Sequence, residues 1–385
     1  MKHVVICLLD KEYPPEHSFV NGMLSFELPK SGNILVLLIV SRGSSTKSVQ
    51  RYGRAICIPV LKPRRGLRRF SNIFVLLPLL VKIIKRERSR GKRITLFVRN
   101  EPVYLLVSSL LRSRVDRVIF QQSFPHELGS PFLKGFIAMQ IFRAAAKKVD
   151  ALLAVNPIGL DRLRKYFGMQ PRGLVIPLLG CQDERLSINT PLSGPSPREL
   201  VRFIYTGTHS NGRRLDFVLR SIVSACQKDI MAEFVFYGGT PDELRALRNT
   251  EGVAILEEEG IIKFYPTLAR NQLLRELASY HVGLCLIPPI PIFKESSPTK
   301  LAEYMNYGLA VLANREIPFQ EKLLSESGGG LLVEWSEEAI SDAILEFCSR
   351  RETNILELRK QALSYAHQKL DYRSYVNDFI QIMEG

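Results

Sequence analysis

Two doubly wound α/β sheets in one chain are what this sequence predicts, and three observations carry the prediction. Short runs rich in Val, Ile, Leu and Phe alternate with longer segments of helical patterning. The runs lack strict polar alternation, as strands buried on both faces do. The alternation stops at a polar, proline-rich stretch, 181–199, and then restarts. Finally, 385 residues are too many for one compact domain and suit two.

In the first half the spacing predicts strands over 3–9, 33–41, 55–61, 94–98, 117–122, 151–156 and 174–178. Helices are expected over 18–28, 67–90, 102–111, 131–148 and 157–167. After the break, strands are expected over 202–206, 233–237, 261–265, 282–287, 310–313 and 330–333. Helices follow over 214–227, 241–248, 269–280, 299–307, 318–325 and 337–349. The segment 352–383 reads as helical, with a break near Leu370, Asp371 and Tyr372. Two such sheets facing one another make a cleft with two ligand-binding edges, because ligands bind outside the carboxyl ends of the strands.

Charge divides the chain as sharply as the linker does. Residues 1–197 carry 32 Lys and Arg against 12 Asp and Glu, a net +20, whereas 198–385 carry 21 against 26, a net −5. The excess concentrates in Lys62, Arg64, Arg65, Arg68 and Arg69, and again from Lys82, Lys85 and Arg86 to Arg93. Between them lies the apolar run 70–81. A basic-flanked apolar helix can lie in a membrane interface; a core-facing helix with solvated basic ends is the other reading. The clusters lack the interleaved aromatics of single-strand binders, which argues against nucleic acid. Six scattered cysteines without a CxxC pair argue against a zinc site or a disulfide framework and fit a reducing cytosol. The first apolar run is too short for a signal peptide, and no uncharged run reaches the length of a membrane span.

Three loops at expected strand ends can carry chemistry. The first is Glu295 to Glu303, where Ser296, Ser297 and Thr299 are good N-cap types and Pro298 suits a first helical turn. Free backbone N–H groups there favour an anion such as phosphate, with Glu303 about one turn further on. The same spacing also fits a plain helix start with two surface glutamates. The second loop runs from Gly207 and Thr208 to Arg213, a glycine at a strand end followed by a cation at a helix start. It also fits an ordinary strand–helix turn with a solvated arginine. The third is Gly238-Gly239, a close backbone approach beneath a nucleobase or simply a tight turn.

From Arg202 onward the order of elements resembles the nucleotide-sugar-binding domain of glycosyltransferase family 4, whose two-domain architecture is the GT-B fold. The segment Glu295, Ser297-Pro298-Thr299-Lys300, Glu303-Tyr304-Met305 and Gly308 is similar to that family's Glu-x7-Glu loop. Gly207 to Arg213 resembles its glycine–arginine–lysine turn, with Thr208 in place of the arginine and Arg213 in place of the lysine. His281 replaces an aspartate before the 282–287 strand. The resemblance covers about 150–345 and implies transfer of a sugar from a nucleoside diphosphate sugar with retained configuration. It places Glu303 on the ribose hydroxyls, Glu295 beside the donor sugar as the catalytic carboxylate, and Ser297 to Lys300, Arg213, Gly207, Thr208 and Gly238 around the nucleotide. With no Asp-x-Asp in the chain, no metal is expected and no cofactor beyond a UDP- or GDP-sugar donor. Lys300, Arg214 or His209 would compensate for the missing cation at Thr208. In the first domain, counting back from Glu127 places Gln122 at the family's histidine; a two-domain cleft would instead use His126 as the catalytic residue. The loop after the first strand keeps only Asn21-Gly22 of the family's paired glycines.

The expected organisation is therefore an acceptor- and membrane-facing domain over 1–180, the linker, a donor domain over 200–365, and a helix, 366–385, returning to the first domain. Arg64, Arg65, Arg68, Arg69, Lys85 and Arg86 would meet the acceptor or an anionic membrane. The acceptor would be a glycan or a polyprenyl-linked one, at the cytoplasmic face of the membrane. A GT-B epimerase or phosphorylase, and a non-catalytic nucleic-acid binder, are the alternatives.

Overall fold

The computed structural model describes residues 2–43, 48–63, 70–129, 132–167, 171–179, 192–196, 198–349 and 352–385. The chain divides into two units. The first is Met1–Cys181 with Glu295–Ser297 and Tyr372–Gly385; the second is Gln182–Lys294 with Pro298–Asp371. Most of the expected linker lies outside the described residues.

In chain order the first unit has β1 (His3–Glu12), a helical stretch Val20–Glu27 that runs into α1 (Leu28–Lys30), β2 (Ile34–Ser41), β3 (Gln50–Tyr52) and β4 (Ala55–Leu61). There follow α2 (Ile73–Arg88), β5 (Arg93–Arg99), α3 (Pro102–Leu110), β6 (Arg117–Gln122), α4 (Phe132–Ala145), β7 (Ala151–Ala154), α5 (Pro157–Phe167) and β8 (Arg172–Val175). The sheet order is β3-β4-β2-β1-β5-β6-β7-β8. Its pairs are parallel except for β3 on β4. Helices α2 to α5 pack on one face of the sheet, as right-handed crossovers require. There Leu76, Leu80, Tyr104, Phe142 and Leu163 share a core with Val4, Ile6, Val98 and Phe120. On the opposite face Phe97 meets Phe19 at 6.1 Å and Phe379 at 5.6 Å. Phe379 belongs to the chain's last helix, which lies with this unit.

The second unit has β9 (Val201–Thr206), α6 (Leu215–Cys226), β10 (Ala232–Tyr237), α7 (Pro241–Arg248), α8 (Val253–Glu258), β11 (Ile262–Tyr265), α9 (Arg270–Leu277) and β12 (Val282–Cys285). It continues with α10 (Pro291–Lys294), α11 (Thr299–Asn306), β13 (Ala310–Asn314), α12 (Pro318–Ser327), β14 (Gly330–Val333), α13 (Glu337–Ser349) and α14 (Glu352–Lys369). The order β11-β10-β9-β12-β13-β14 reverses direction between β9 and β12. In the first sheet the reversal lies between β1 and β5. These are the switch points at which an open α/β sheet presents its binding edge. Gly283 on β12 is glycine for a packing reason: a Cβ there would come within 2.2 Å of the Tyr304 ring. Its absence lets α11 lie directly against the strand that precedes it.

The fold is thus α/β with two parallel Rossmann-like sheets. Three small elements, β3, α8 and α10, have no counterpart in the expected pattern, being too short for periodicity to register. The expected 352–383 helix is two helices, α14 and α15 (Val376–Glu384), separated by a turn at Tyr372–Tyr375. The return to the first unit starts at Tyr372 rather than 366. Tyr372 itself is anchored there, its hydroxyl accepting the Leu179 N–H at 2.9 Å.

Candidate active site

At the switch point of the second sheet, β9 leads into Gly207. Its N–H donates to the Tyr237 carbonyl at 3.0 Å, and its φ is +135°. Gly238, φ +129°, crosses so close that a Cβ would sit 2.0 Å from the Gly207 carbonyl oxygen. Backbone against backbone is therefore what demands glycine at 238. The neighbouring strand β12 leads through α10 to α11. Pro298 is the N-cap of α11 and makes no side-chain cap bond, so it precedes the first turn rather than occupying it. The start of α11 carries the positive end of the helix dipole; its Leu301 N–H is already taken by the Pro298 carbonyl at 3.1 Å. Ser297 does not cap the helix either: its hydroxyl accepts the Leu178 N–H at 2.9 Å within the first unit.

Lys300, in the first turn of α11, holds its ammonium 3.7 Å from the centre of the Tyr205 ring. A Cβ on Gly207 would lie 3.4 Å from its Nζ. Arg213 lies over the Phe293 ring at 4.5 Å, with Nε donating to Thr208 Oγ1 at 3.4 Å. Glu303 is buried and pairs with Arg270, at the start of α9, at 2.7 Å. Arg214 is turned to Asp216, at 3.2 and 3.4 Å. His209 is buried; burial first and Lys300 second push its imidazole down to about 4, so it is neutral at physiological pH. Of the three groups expected to compensate for Thr208, Arg214 is committed elsewhere and His209 carries no charge. Lys300 is the cation that faces the glycine edge.

Glu295 stands apart from this group. It lies with the first unit, where its Oε2 accepts from Arg162 Nε at 2.7 Å. The Arg162 Nη1 donates to Glu127 Oε1 in a short bond, and Nη2 donates to Gln122 Oε1 at 2.9 Å. Gln122 Nε2 then donates to Glu127 Oε2 at 2.8 Å. Both ends of the Gln122 amide are thereby used. Burial raises the Glu127 carboxyl above the ordinary range in spite of Arg162. Burial alone would lower the Arg162 guanidinium, but Glu127 and Glu295 together raise it. His126 lies in a single turn, His126–Gly129, and its side chain falls outside the described ones.

The sequence pattern thus places Glu303, Lys300, Thr299, Pro298, Gly207, Thr208, Arg213 and Gly238 in one unit, and Glu295 and Ser297 in the other. Arg162, Glu127 and Arg270 escaped it. Each is an ordinary charged residue of a helix or turn, and only tertiary packing brings it to a motif carboxylate. Gly22 is small for a further reason, since a Cβ would lie 2.3 Å from the Tyr372 ring. His281, in the family's aspartate position, accepts the Arg202 N–H at 3.0 Å. Arg64, Arg65, Arg68 and Arg69 lie outside the described residues, whereas Lys85 and Arg86 are exposed on α2. Among the described residues no group of three or more His, Cys, Asp or Glu is placed to hold a metal ion. Nor, among them, is any helix long and apolar enough to cross a membrane.

Residues 201–350 match the family described as Glycosyl transferases group 1. No curated protein matches the chain. Among solved structures, sucrose-phosphate synthase from Thermosynechococcus elongatus aligns with TM-score 0.68 at 14% identity over 99% of this chain and 98% of that one. A structure titled trehalose-6-phosphate from E. coli, bound with UDP-2-fluoro glucose, aligns with TM-score 0.67 at 11% identity over 99% and 98%. Anabaena HepE in complex with UDP aligns with TM-score 0.65 at 12% identity over 100% of both chains. The fold is therefore GT-B, and residues 201–350 are a glycosyl transferase domain, which makes the chain an enzyme of the sugar-transferring class.

Proposed function

We propose that the chain is a retaining, metal-independent glycosyltransferase that takes a sugar from a UDP- or GDP-sugar and passes it to a glycan or polyprenyl-linked acceptor. One observation carries the reading. At the switch point of a glycosyl transferase domain, the Lys300 ammonium, the amide end of α11 and the Gly207 backbone converge on one spot. The leaving group of such a transfer is a nucleoside diphosphate, and fixed cationic donors stabilise the charge it develops. Lys300 and the α11 amides hold the diphosphate, Arg213 flanks it, and Glu303, oriented by Arg270, takes the ribose hydroxyls. Two of the aligned structures were solved with UDP or a UDP-sugar, which favours uridine as the base. Calorimetry with UDP and GDP tests the reading. One nucleotide binds to the wild type, and Lys300→Met weakens it by roughly tenfold or more, the value of one charge-assisted contact. A protein that binds neither nucleotide overturns it.

A membrane-facing role for the first unit rests on α2. Its outer stripe begins with Phe74, 84% exposed, and Val75, and ends with the exposed Lys82, Lys85 and Arg86. Apolar side chains followed by cations suit an anionic bilayer surface and a lipid-linked acceptor of surface polysaccharide synthesis at the cytoplasmic face. The expected result is co-sedimentation with phosphatidylglycerol vesicles that is lost in a Phe74→Ser, Lys85→Gln, Arg86→Gln variant. Sedimentation unchanged by these substitutions overturns this role.

A further inference from the structure

Beside the β3–β4 hairpin, at the edge of the first sheet, lies a cavity of about 590 Å³. Its floor is aliphatic, formed by Pro29, Ile34, Leu35 and Ile56. Ile34 and Leu35 open β2, opposite His3 and Val4 of β1, and Ile56 is the second residue of β4. The cavity therefore lies at the amino ends of these strands, whereas the switch-point edge lies at their carboxyl ends. Gly32 also lines it, and a Cβ there would meet nothing within 4 Å. The rim is basic: Arg51 on β3 and Arg54 just before β4 line the cavity, and both are exposed. Among the described residues no Asp or Glu lines it, and neither guanidinium has a carboxylate partner. Arg54 is steadied by a ring instead of a counter-ion. It lies over Phe26 at 5.2 Å, and Lys30 lies over the same ring at 5.1 Å. Glu27, 3.6 Å from the Lys30 ammonium, offsets that charge, so the uncompensated cations of the rim are the two arginines.

We propose that this cavity is a second binding site, separate from the donor edge, for a phosphate ester with an apolar body. The phosphate pairs with Arg51 and Arg54, and the body lies on the aliphatic floor. A guanidinium offers N–H groups in a fork that matches the edge of a phosphate. Cavities of this size that hold small molecules are lined mostly by apolar side chains with a few placed polar groups. Two uncompensated cations on one rim select an anion over a neutral ligand of the same shape. A second copy of this chain is a poor occupant. The chain carries a net +15, and Arg51 stands on the three-residue edge strand that such pairing would need.

Calorimetry on the full chain with octyl phosphate tests the site. Octyl phosphate binds the wild type in the presence of saturating UDP, and binds Lys300→Met equally well, so the donor edge is not what is read. Arg51→Gln with Arg54→Gln weakens it by roughly 100-fold, about tenfold for each charge-assisted contact. Val49→Glu, which sets a carboxylate at an exposed position of the same lining, weakens it by about tenfold. Inorganic phosphate and 1-octanol each bind at least about tenfold more weakly than the ester, because each lacks one half of the recognition. All three substituted side chains are exposed, so the melting temperature stays at the wild-type value. Phosphatidic acid vesicles distinguish the sources of the ester. Co-sedimentation reduced by the double substitution assigns the phosphate to a bilayer, and co-sedimentation unchanged by it assigns a free ester. Octyl phosphate that fails to bind the wild type, that binds the double variant undiminished, or that binds no better than inorganic phosphate overturns the proposal. A wild type that binds octyl phosphate but neither UDP nor GDP overturns the transferase reading and leaves this site standing.

Discussion

The two sheets reverse direction at equivalent places, yet their binding edges are built from opposite materials. Between β9 and β12 the edge is glycine backbone at 207 and 238, faced by Lys300. Between β1 and β5 the edge is filled by the chain's own charges. Arg99, at the end of β5, is 1% exposed. It donates to Asp10 at 3.1 Å, and its other terminal nitrogen donates to Ser123 Oγ and to His17 Nε2, both at 2.8 Å. Asn100, in the left-handed region at φ +60°, accepts the Ser123 N–H at 2.8 Å. The terminal nitrogens of Arg99 are satisfied within the unit, and the group shapes the edge. The glycine edge leaves cationic groups facing backbone that has no side chains to occupy them. The same topology ends in internally bonded charges in one unit and in bare backbone faced by Lys300 in the other.

Removing the arginine of the filled edge gives the largest expected effect. Arg99→Met leaves the half-buried Asp10 without its guanidinium and strips a donor from Ser123 and His17, which costs about 3 kcal/mol. Urea unfolding reads this as a lower midpoint at unchanged slope. UDP affinity of the surviving folded protein is unaffected if that edge is structural. A variant as stable as the wild type that has lost nucleotide binding would reverse the roles given to the two edges. Next in size is Gly238→Ala, in which a methyl group meets the Gly207 carbonyl at a φ of +129°. Backbone strain of about 1–3 kcal/mol is expected, together with weaker nucleotide binding, because the shift falls on Gly207. Lys300→Met is the counterpart of Arg99→Met: a loss of about tenfold in nucleotide affinity with little change in the urea midpoint.

These contrasts also mark what the sequence makes legible. Strands such as β1 and β10 are continuous apolar runs, so two parallel sheets could be read directly. Glu303 and Lys300 could be read because they sit within a few residues of a helix start, where local geometry dictates what the backbone offers. Glycine at 238 was legible as a special position but not for its reason, which is a carbonyl thirty-one positions away in the chain. Arg162 and Arg99 were not legible at all. Their partners, Glu295 and Asp10, lie 133 and 89 residues distant, and nothing in a helix or a strand end announces which buried carboxylate a cation will meet. His209 falls in the same class, a polar residue in a loop expected to offer a cation, and packing has made it neutral.

His209 supplies the smallest and most discriminating test. Its ring is buried against Tyr205 and Phe236, at centroid distances of 5.6 and 6.4 Å, and Lys300 adds to the burial in holding its folded pKa near 4. An unfolded histidine titrates near 6.5. Between those values the unfolded chain binds a proton that the native one refuses, so stability falls as pH drops from about 6.5 to about 4 and is fully present above that window. His281, also held near 4 by burial and then by Arg359, contributes in the same direction. His3, lowered by burial, adds to them; His209→Leu keeps the packing and removes one of these three titrations, so at pH 5.5 it should be more stable relative to wild type than at pH 8 by on the order of 1 kcal/mol. Saturating UDP lowers the positive potential of Lys300 and should narrow that gap, because the histidine then gains a proton more easily. A gap that nucleotide leaves untouched would separate His209 from the anion site and leave it a core residue of the second unit alone.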